Sequence, residues 1–235
     1  FPVCVSAFIT DDLRAQTEQF ILVNSTKPLP KGLLYELLPY TEARLPSQLH
    51  KRRLSARLLE SLNHNRKSPL KGLIQTPTAP QGLIKDNSIL RMLDNSLSDG
   101  VLFRLRKAGG DANLPLMVDV LIEFWAAVKD VFENAWNLPP RKSRLMHGAG
   151  IISVGNLMDH IGIPAHLPHS RQLKDFFVES LKVVAPCCAW TEGTWRIPSG
   201  DRKWNDLQNT RQDVALLTDY LQREFDLRQK RERQS

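Results

Sequence analysis

One short polar segment combines amide, hydroxyl and ammonium groups directly after an apolar run. Residues 20–23 are apolar, and they are followed by Asn24, Ser25, Thr26 and Lys27. Backbone N–H groups, two hydroxyls and one positive charge at the end of an ordered element could hold a phosphate or a carboxylate. The alternative is a polar helix terminus, capped by Asn24 and carrying a lysine that the helix dipole favours. The residues alone leave both interpretations open.

A second candidate site is a concentration of positive charge. Residues 42–71 hold eight lysines and arginines against two glutamates, a net charge of +6, whereas residues 1–41 sum to −1. A local cationic surface binds DNA through its phosphates, with little sequence preference. No aromatic residue lies among these cations, which argues against a platform for stacking single-stranded bases. The alternative is the solvated face of a helix. The candidate DNA-binding residues are Lys51, Arg52, Arg53, Arg57, Arg66 and Lys67, with Lys71 beside them.

Other combinations of reactive residues give weaker signals. His160, His166 and His169 lie near Asp159, but their spacing matches no standard zinc site, so no metal site is predicted. The sequence contains no P-loop, no dinucleotide-binding glycine motif, no serine-hydrolase elbow and no zinc-protease motif. Residues 144–150 place an arginine, a histidine and two glycines together, which allows close approach to a ligand or to a neighbouring helix. The catalytic residues, if the chain has any, stay unknown.

Composition indicates the class of protein. The chain has 235 residues, of which 42% are hydrophobic and 24% charged, ordinary values for a globular protein. Three cysteines, Cys4, Cys187 and Cys188, are too few for a disulfide framework and fit a reducing cytosol, so we expect a cytoplasmic protein. No apolar run approaches the roughly 18 residues of a membrane span. Because a strand-like pattern starts at Phe1, we expect the chain to be a fragment of a longer protein.

Apolar periodicity predicts a mainly helical chain with a few short strands. A first helix, ending at the polar segment, would turn Leu13, Phe20 and Val23 inward. A second helix over residues 45–62 would carry the cations of residues 51–57 on its solvent side. Short strands are expected at residues 72–77 and 82–84, and further helices at 89–97, 116–136, 172–184 and from 210 onward. The tryptophans Trp190, Trp195 and Trp204 are interpreted as packing residues of an irregular loop.

Three segments together resemble the DGQHR-domain proteins. They are residues 20–30 (Phe-Ile-Leu-Val-Asn-Ser-Thr-Lys-Pro-Leu-Pro), 54–63 and 68–74 (Ser-Pro-Leu-Lys-Gly-Leu-Ile), with weaker similarity at residues 204–210. The family includes DndB-like regulators of DNA phosphorothioation and the related ATPase partner of 7-deazaguanine insertion into DNA. Its naming motif, Asp-Gly-Gln-His/Gln-Arg, is absent from the chain and would lie just upstream of Phe1.

The resemblance implies an α+β, mainly α-helical fold. Residues 1–41 would be the C-terminal part of a ParB/sulfiredoxin-like nucleotide-binding domain, and residues 42–235 a mainly helical domain with a basic face. Residues 24–27 would then form half of a site for ATP, with Mg as a candidate ion, and the missing upstream motif would supply the other half.

The expected function is that of a DNA-modification accessory protein that binds a nucleoside triphosphate and could hydrolyse it. One alternative is a non-enzymatic DNA-binding transcriptional regulator of a DNA-modification operon. Another is an interaction module whose long helices bind partner proteins of a defence operon. The expected partners are DNA and other proteins of such an operon, with no membrane association.

Overall fold

The computed structural model describes residues 9–23, 30–40, 47–106, 112–163, 167 and 172–232, with the backbone alone for residues 21–23, 47–51 and 232. The structure is mainly α-helical, with 63% helix and a few short strands, in agreement with the predicted class. Within the described ranges, no helix combines the length and the apolar character needed to cross a bilayer.

The described helices follow one another along the chain with short connections. They are α1 (Leu13–Val23), α2 (Lys31–Leu37), α3 (Ser47–His64), α4 (Asp86–Ser98), α5 (Val101–Arg104), α6 (Leu114–Val131), α7 (Gly148–Gly162), α8 (Leu173–Val184) and α9 (Arg211–Glu232). Short 3-10 turns occur at Leu38–Tyr40, Glu133–Ala135 and Ala185–Cys187. The strands are β1 (Ile74–Gln75), β2 (Ile84–Lys85), β3 (Thr194–Trp195) and β4 (Arg202–Lys203).

The strands form two small pairs that fasten loops to the helices. β1 and β2 are parallel, with Ile74 opposite Ile84, and β3 and β4 are antiparallel. Gly82 makes the first pair possible, because a Cβ there would overlap the backbone of Ile74 and Gln75. Asn63, at the end of α3, receives the Ile74 N–H at 3.2 Å and donates to the Ile74 carbonyl at 3.3 Å. The basic helix α3 is thereby tied to β1.

The hydrophobic core lies between α4, α6, α7, α8 and α9. α6 packs on α8, while α7 lies between α4 and α9. The predicted apolar stripe of α6 is confirmed, since Val120, Phe124 and Val128 are buried. Phe124 meets Phe177 of α8 edge to face, with ring centroids 5.1 Å apart. The same core extends to α3 through Leu58, Leu59 and Leu62.

The aromatic loop before α9 packs against this core. Trp190 and Trp195 are buried, with ring centroids 4.9 Å apart. The Trp195 ring also meets Tyr220 of α9 at 5.9 Å, and its indole N–H donates to the carbonyl oxygen of Trp204 at 3.2 Å. The interpretation of these tryptophans as packing residues is confirmed.

The glycines near the start of α7 serve close packing within the protein. A Cβ at Gly150 would overlap the carbonyl oxygens of Arg144 and Leu145, and one at Gly155 would overlap the Met92 side chain of α4. His147 caps the helix, because its Nδ1 accepts the Ala149 N–H at 3.4 Å. Of the two alternatives for residues 144–150, the structure favours contact with neighbouring protein groups.

Some predicted boundaries and orientations differ from the structure. α4 begins at Asp86, three residues earlier than predicted, because Asp86 already has a helical conformation and Lys85 occupies the N-cap position. The inward orientation of Leu13 and Phe20 is wrong, since these side chains are 70% and 45% exposed. The core of the described residues is formed by α3 to α9, and neither Leu13 nor Phe20 belongs to it. The Val23 side chain lies outside the described residues.

Candidate functional site

The predicted phosphate site falls outside the part of the chain that the structure describes. Asn24, Ser25, Thr26 and Lys27 belong to the interval between α1 and α2 that is not described. ATP binding there, and a bound Mg, therefore stay predictions. The proposed division of the chain at residues 41 and 42 also falls in such an interval, although α2 and the turn after it contact α3.

Two arginines of α3 and one of α1 surround an open depression. Arg53 and Arg57 are four residues apart on α3, so they lie on one helix face. Together with Arg14 of α1 and Tyr40, they line a depression of about 530 Å³. Asp12 also lines it, and its carboxylate accepts the backbone N–H of Arg14 at 2.9 Å. Several guanidinium groups around one opening form a suitable site for phosphate oxygens, since each presents a planar fork of N–H donors. We call this site the arginine depression.

Arg52 does not share that surface. Its guanidinium pairs with Asp94 of α4, with Nη2 at 3.0 Å and Nε at 3.1 Å from Oδ2. It also lies over the Tyr35 ring, 4.5 Å from the centroid, and the side chain is only 23% exposed. Arg52 and Arg53 are both half-buried, but neighbouring helix residues point about 100° apart, so only Arg53 lines the depression. The Lys51 side chain lies outside the described residues.

The loop after α3 presents three further cations. Arg66, Lys67 and Lys71 are all exposed. The loop itself is anchored: Leu70 is fully buried, and the Gly72 N–H donates to the carbonyl oxygen of Asn63 at 3.0 Å. These cations therefore project from an anchored loop at the end of α3.

A second cavity, next to the arginine depression, has three acids in its lining. It has a volume of about 260 Å³, shares Pro39 and Tyr40 with the arginine depression, and is called here the acidic cavity. Its carboxylates come from three elements, α2, α3 and α4, and are Glu36, Glu60 and Asp86. Glu36 accepts hydrogen bonds from the hydroxyls of Thr76 (2.8 Å) and Thr78.

Two groups of this cavity, Tyr40 and Asp86, have raised pKa values. The Tyr40 hydroxyl donates to Glu60, and this hydrogen bond, with burial and the nearby negative charges, raises the pKa of Tyr40 to about 12. Partial burial raises the pKa of the Asp86 carboxyl, with a further contribution from Glu36 and an opposing one from Arg52. A negative potential in a partly desolvated space produces shifts in these directions.

The other reactive residues are engaged within the protein. The Nε2 atom of His160 lies 2.8 Å from Oδ1 of Asp226 in α9. His166 and His169 fall outside the described residues. Among the described residues, no group of three His, Cys, Asp or Glu side chains is placed to hold a metal ion. Cys187 and Cys188 are free thiols that both donate to the carbonyl oxygen of Val184, at 2.9 and 3.4 Å.

Comparison with known proteins found no matching family model, no similar curated protein and no similar solved structure. The resemblance to DGQHR-domain proteins thus stays a prediction, and the inference of function rests on the geometry of the site.

Sequence reasoning missed Arg14, Tyr40 and the three acids. The spacing of Arg53 and Arg57 is visible in the sequence, but Arg14 and Tyr40 come from separate elements earlier in the chain. Tyr40 and Glu60 are 20 residues apart, and Glu36 and Thr76 are 40 apart. No local pattern signals contacts of this kind, since they depend on how α2 and its turn pack on α3.

Proposed function

We propose that the chain is a DNA-binding protein that contacts backbone phosphates through the arginine depression and the loop after α3. The observation that carries this proposal is the convergence of Arg14, Arg53 and Arg57 on one open depression. The exposed Arg66, Lys67 and Lys71 support it, because they extend the cationic surface beyond the helix.

The dimensions of the surface suit a duplex. From Arg53 to the end of α3 the helix covers 12 residues, or about 18 Å at 1.5 Å per residue. Successive phosphates of one DNA strand lie about 3.4 Å apart along the axis, so this length spans roughly five of them. The contacts are to phosphates, and we expect affinity without marked sequence preference.

The resemblance to DGQHR-domain proteins supports the biological part of this proposal. On that basis the chain is a cytoplasmic accessory or regulatory protein of a DNA-modification system, and residues 1–41 belong to a ParB/sulfiredoxin-like domain. Nucleotide binding by residues 24–27 is part of the same proposal and rests on the resemblance alone.

Replacing Arg53 and Arg57 by alanine is expected to weaken DNA binding on the order of tenfold or more and to flatten its salt dependence. Each lost phosphate contact lowers the slope of log K against log salt by about 0.9, so the double variant should lose up to about 2 units of slope. Fluorescence anisotropy with a labelled duplex at several salt concentrations measures both quantities.

A matched control removes two cations from another surface. Arg202 and Lys203 of β4 are exposed and lie outside the arginine depression. The Arg202→Ala/Lys203→Ala variant should retain the affinity and the salt slope of the unmodified chain. Equal losses in the two variants would show that net charge, rather than this surface, determines binding, and the proposal would fail.

A further inference from the structure

Two neighbouring cysteines, Cys187 and Cys188, bring their thiols together just after α8. Both residues are half-buried, and both side chains donate to one acceptor, the carbonyl oxygen of Val184, at 2.9 Å from Cys187 Sγ and 3.4 Å from Cys188 Sγ. Because they share this acceptor, the two sulfur atoms lie close together on one side of the backbone. The protein thus holds a pair of soft ligand atoms that the proposed DNA-binding surface does not use.

The backbone that carries this thiol pair is held in place by its neighbours. The Tyr220 hydroxyl of α9 donates to the carbonyl oxygen of Cys187 at 3.1 Å. The backbone N–H of Cys188 donates to the carbonyl oxygen of Ala185, also at 3.1 Å. Trp190, two residues further on, is buried in the core. A ligand of both thiols would therefore meet a pair that is already arranged, which lowers the entropic cost of binding.

The geometry disfavours a direct disulfide between these cysteines. The peptide bond that joins Cys187 and Cys188 is trans, so their Cα atoms are about 3.8 Å apart, below the roughly 4.4 to 6.8 Å that a disulfide usually requires. An atom inserted between the sulfurs removes this restriction, because the sulfurs then need not bond to each other. Zinc fits poorly, since structural zinc takes four protein ligands. Among the described residues, no group of three His, Cys, Asp or Glu side chains is placed to hold a metal ion.

The two thiols differ in how readily they ionise. The hydrogen bond with Cys188 lowers the pKa of Cys187, and the positive charge of Arg228 in α9 lowers it further, against the opposing effects of burial and of Glu224. Burial raises the pKa of Cys188 well above its ordinary value. Because the thiolate is the form that attacks and binds soft ions, Cys187 reacts first and Cys188 second.

We propose that Cys187 and Cys188 form a dithiol site that binds trivalent arsenic. Trivalent arsenic is thiophilic and takes three ligands, so two thiolates of adjacent residues leave one position for a hydroxyl or an organic group. With phenylarsine oxide, both S–H bonds break and two As–S bonds form, and the two protons leave with the oxide oxygen as one water molecule. The arsenic stays trivalent, so the reaction requires neither an oxidant nor a reductant.

This site is independent of the proposed DNA binding. The thiols lie between α8 and α9, whereas residues of α1, α3 and the turn Leu38–Tyr40 line the arginine depression. Arsenical binding is measured without DNA, so failure of either proposal leaves the other standing.

The intact mass of the full chain after treatment with phenylarsine oxide shows whether one arsenic bridges two thiols. A bridged adduct has the mass of the chain plus the reagent minus one water molecule, whereas an adduct on a single thiol keeps the hydroxyl and loses no water. We expect one bridged adduct per chain, which survives excess glutathione, a monothiol, and is removed by 2,3-dimercaptopropanol. An adduct that keeps the water, or one that glutathione removes, would overturn the proposal.

Serine variants locate the arsenic. Cys187→Ser and Cys188→Ser should each weaken binding about a hundredfold, because the second thiolate of a chelating pair acts at a high effective concentration. Cys4→Ser removes the remaining thiol of the chain and should leave binding unchanged. The glutathione concentration that displaces the arsenical measures these differences, with circular dichroism as the check on folding. Equal losses in all three variants, or retained affinity in Cys187→Ser or Cys188→Ser, would refute the site. If a serine variant does not fold, the adduct mass of the unmodified chain still decides.

Discussion

Gly155→Val in α7 is expected to destabilise the fold by about 3 kcal/mol or more, the upper range for overpacking a close-packed interior. A side chain at this position would overlap Met92 of α4, and Met92 itself is only 1% exposed. The overlap begins at Met92 Cγ, near the backbone, so rotation of the outer part of that side chain cannot relieve it. In an open helix the same change would favour folding, because glycine is among the poorest helix formers.

A second substitution tests this explanation directly. Met92→Ala removes three heavy atoms and Gly155→Val adds three, so the pair conserves the volume at the interface. Met92→Ala alone should cost about 2 to 5 kcal/mol, the usual range for a buried methionine. The double variant should be more stable than the sum of the single effects predicts, by about 1 kcal/mol or more. Urea denaturation of the four proteins measures the coupling, and strictly additive effects would contradict the proposed α4–α7 contact.

The sequence predicted the helices whose apolar periodicity is clear. α6 and α9 carry long apolar periods, and both are present, although α6 ends at Val131 rather than at the predicted residue 136. The start of α9 has a local signal of the same kind, since Thr210 lies three residues before Asp213 and its Oγ accepts the Asp213 backbone N–H at 3.1 Å. Glycines near residue 150 indicated close approach, but the sequence could not identify Met92 as the partner, since the two residues meet only after α4 and α7 pack.

In the candidate site, too, the features visible in local sequence were predictable, whereas the contacts between distant residues were not. The charge of residues 42–71 was predictable from composition, but the pairing of Arg52 with Asp94 was not, since it joins residues 42 positions apart. Apolar residues of α1 were assigned to a core because periodicity shows which side of a helix is apolar without showing what covers it. Leu13 is therefore exposed despite a suitable pattern. The acidic cavity could not be predicted, because its three acids come from three separate elements.

Asp159 of α7 is the buried acid with the most clearly defined role. Its Oδ1 accepts the Ser96 hydroxyl at 2.6 Å and the Val101 N–H at 2.8 Å, at the start of α5. Ser96 in turn accepts the Leu102 N–H at 3.2 Å. The carboxyl thus connects α7, the end of α4 and the first turn of α5. Burial raises its pKa to about 6, against the opposing effect of these hydrogen bonds.

The raised pKa makes the stability of the fold depend on pH. Because the folded state holds the Asp159 proton more tightly than the unfolded state, this contribution is fully present below the unfolded pKa of 3.8 and is lost as pH rises through about 6. A shift of about 2 units corresponds to on the order of 2 to 3 kcal/mol. His147 acts in the opposite direction: its pKa is lowered to about 4 by burial and by Arg144 and Lys85, so its contribution is present above 6.5 and is lost as pH falls.

Asp159→Asn is expected to stabilise the fold by about 2 kcal/mol at pH 8 and to have little effect near pH 4. The amide oxygen can accept both hydrogen bonds that Oδ1 receives, and it carries no charge at any pH. Asp159→Ala should instead cost about 1 to 3 kcal/mol near pH 4, because it leaves the Ser96 hydroxyl and the Val101 N–H without this acceptor. At pH 8 this cost should be smaller by about 2 kcal/mol, since the variant also lacks the buried charge. At each pH, the free energy of unfolding of the unmodified chain is subtracted from that of the variant. The contribution of His147 is the same in both and cancels. Urea denaturation from pH 4 to pH 8 measures the difference, and an asparagine variant as unstable as the alanine variant at pH 8 would contradict a buried, charge-penalised carboxyl.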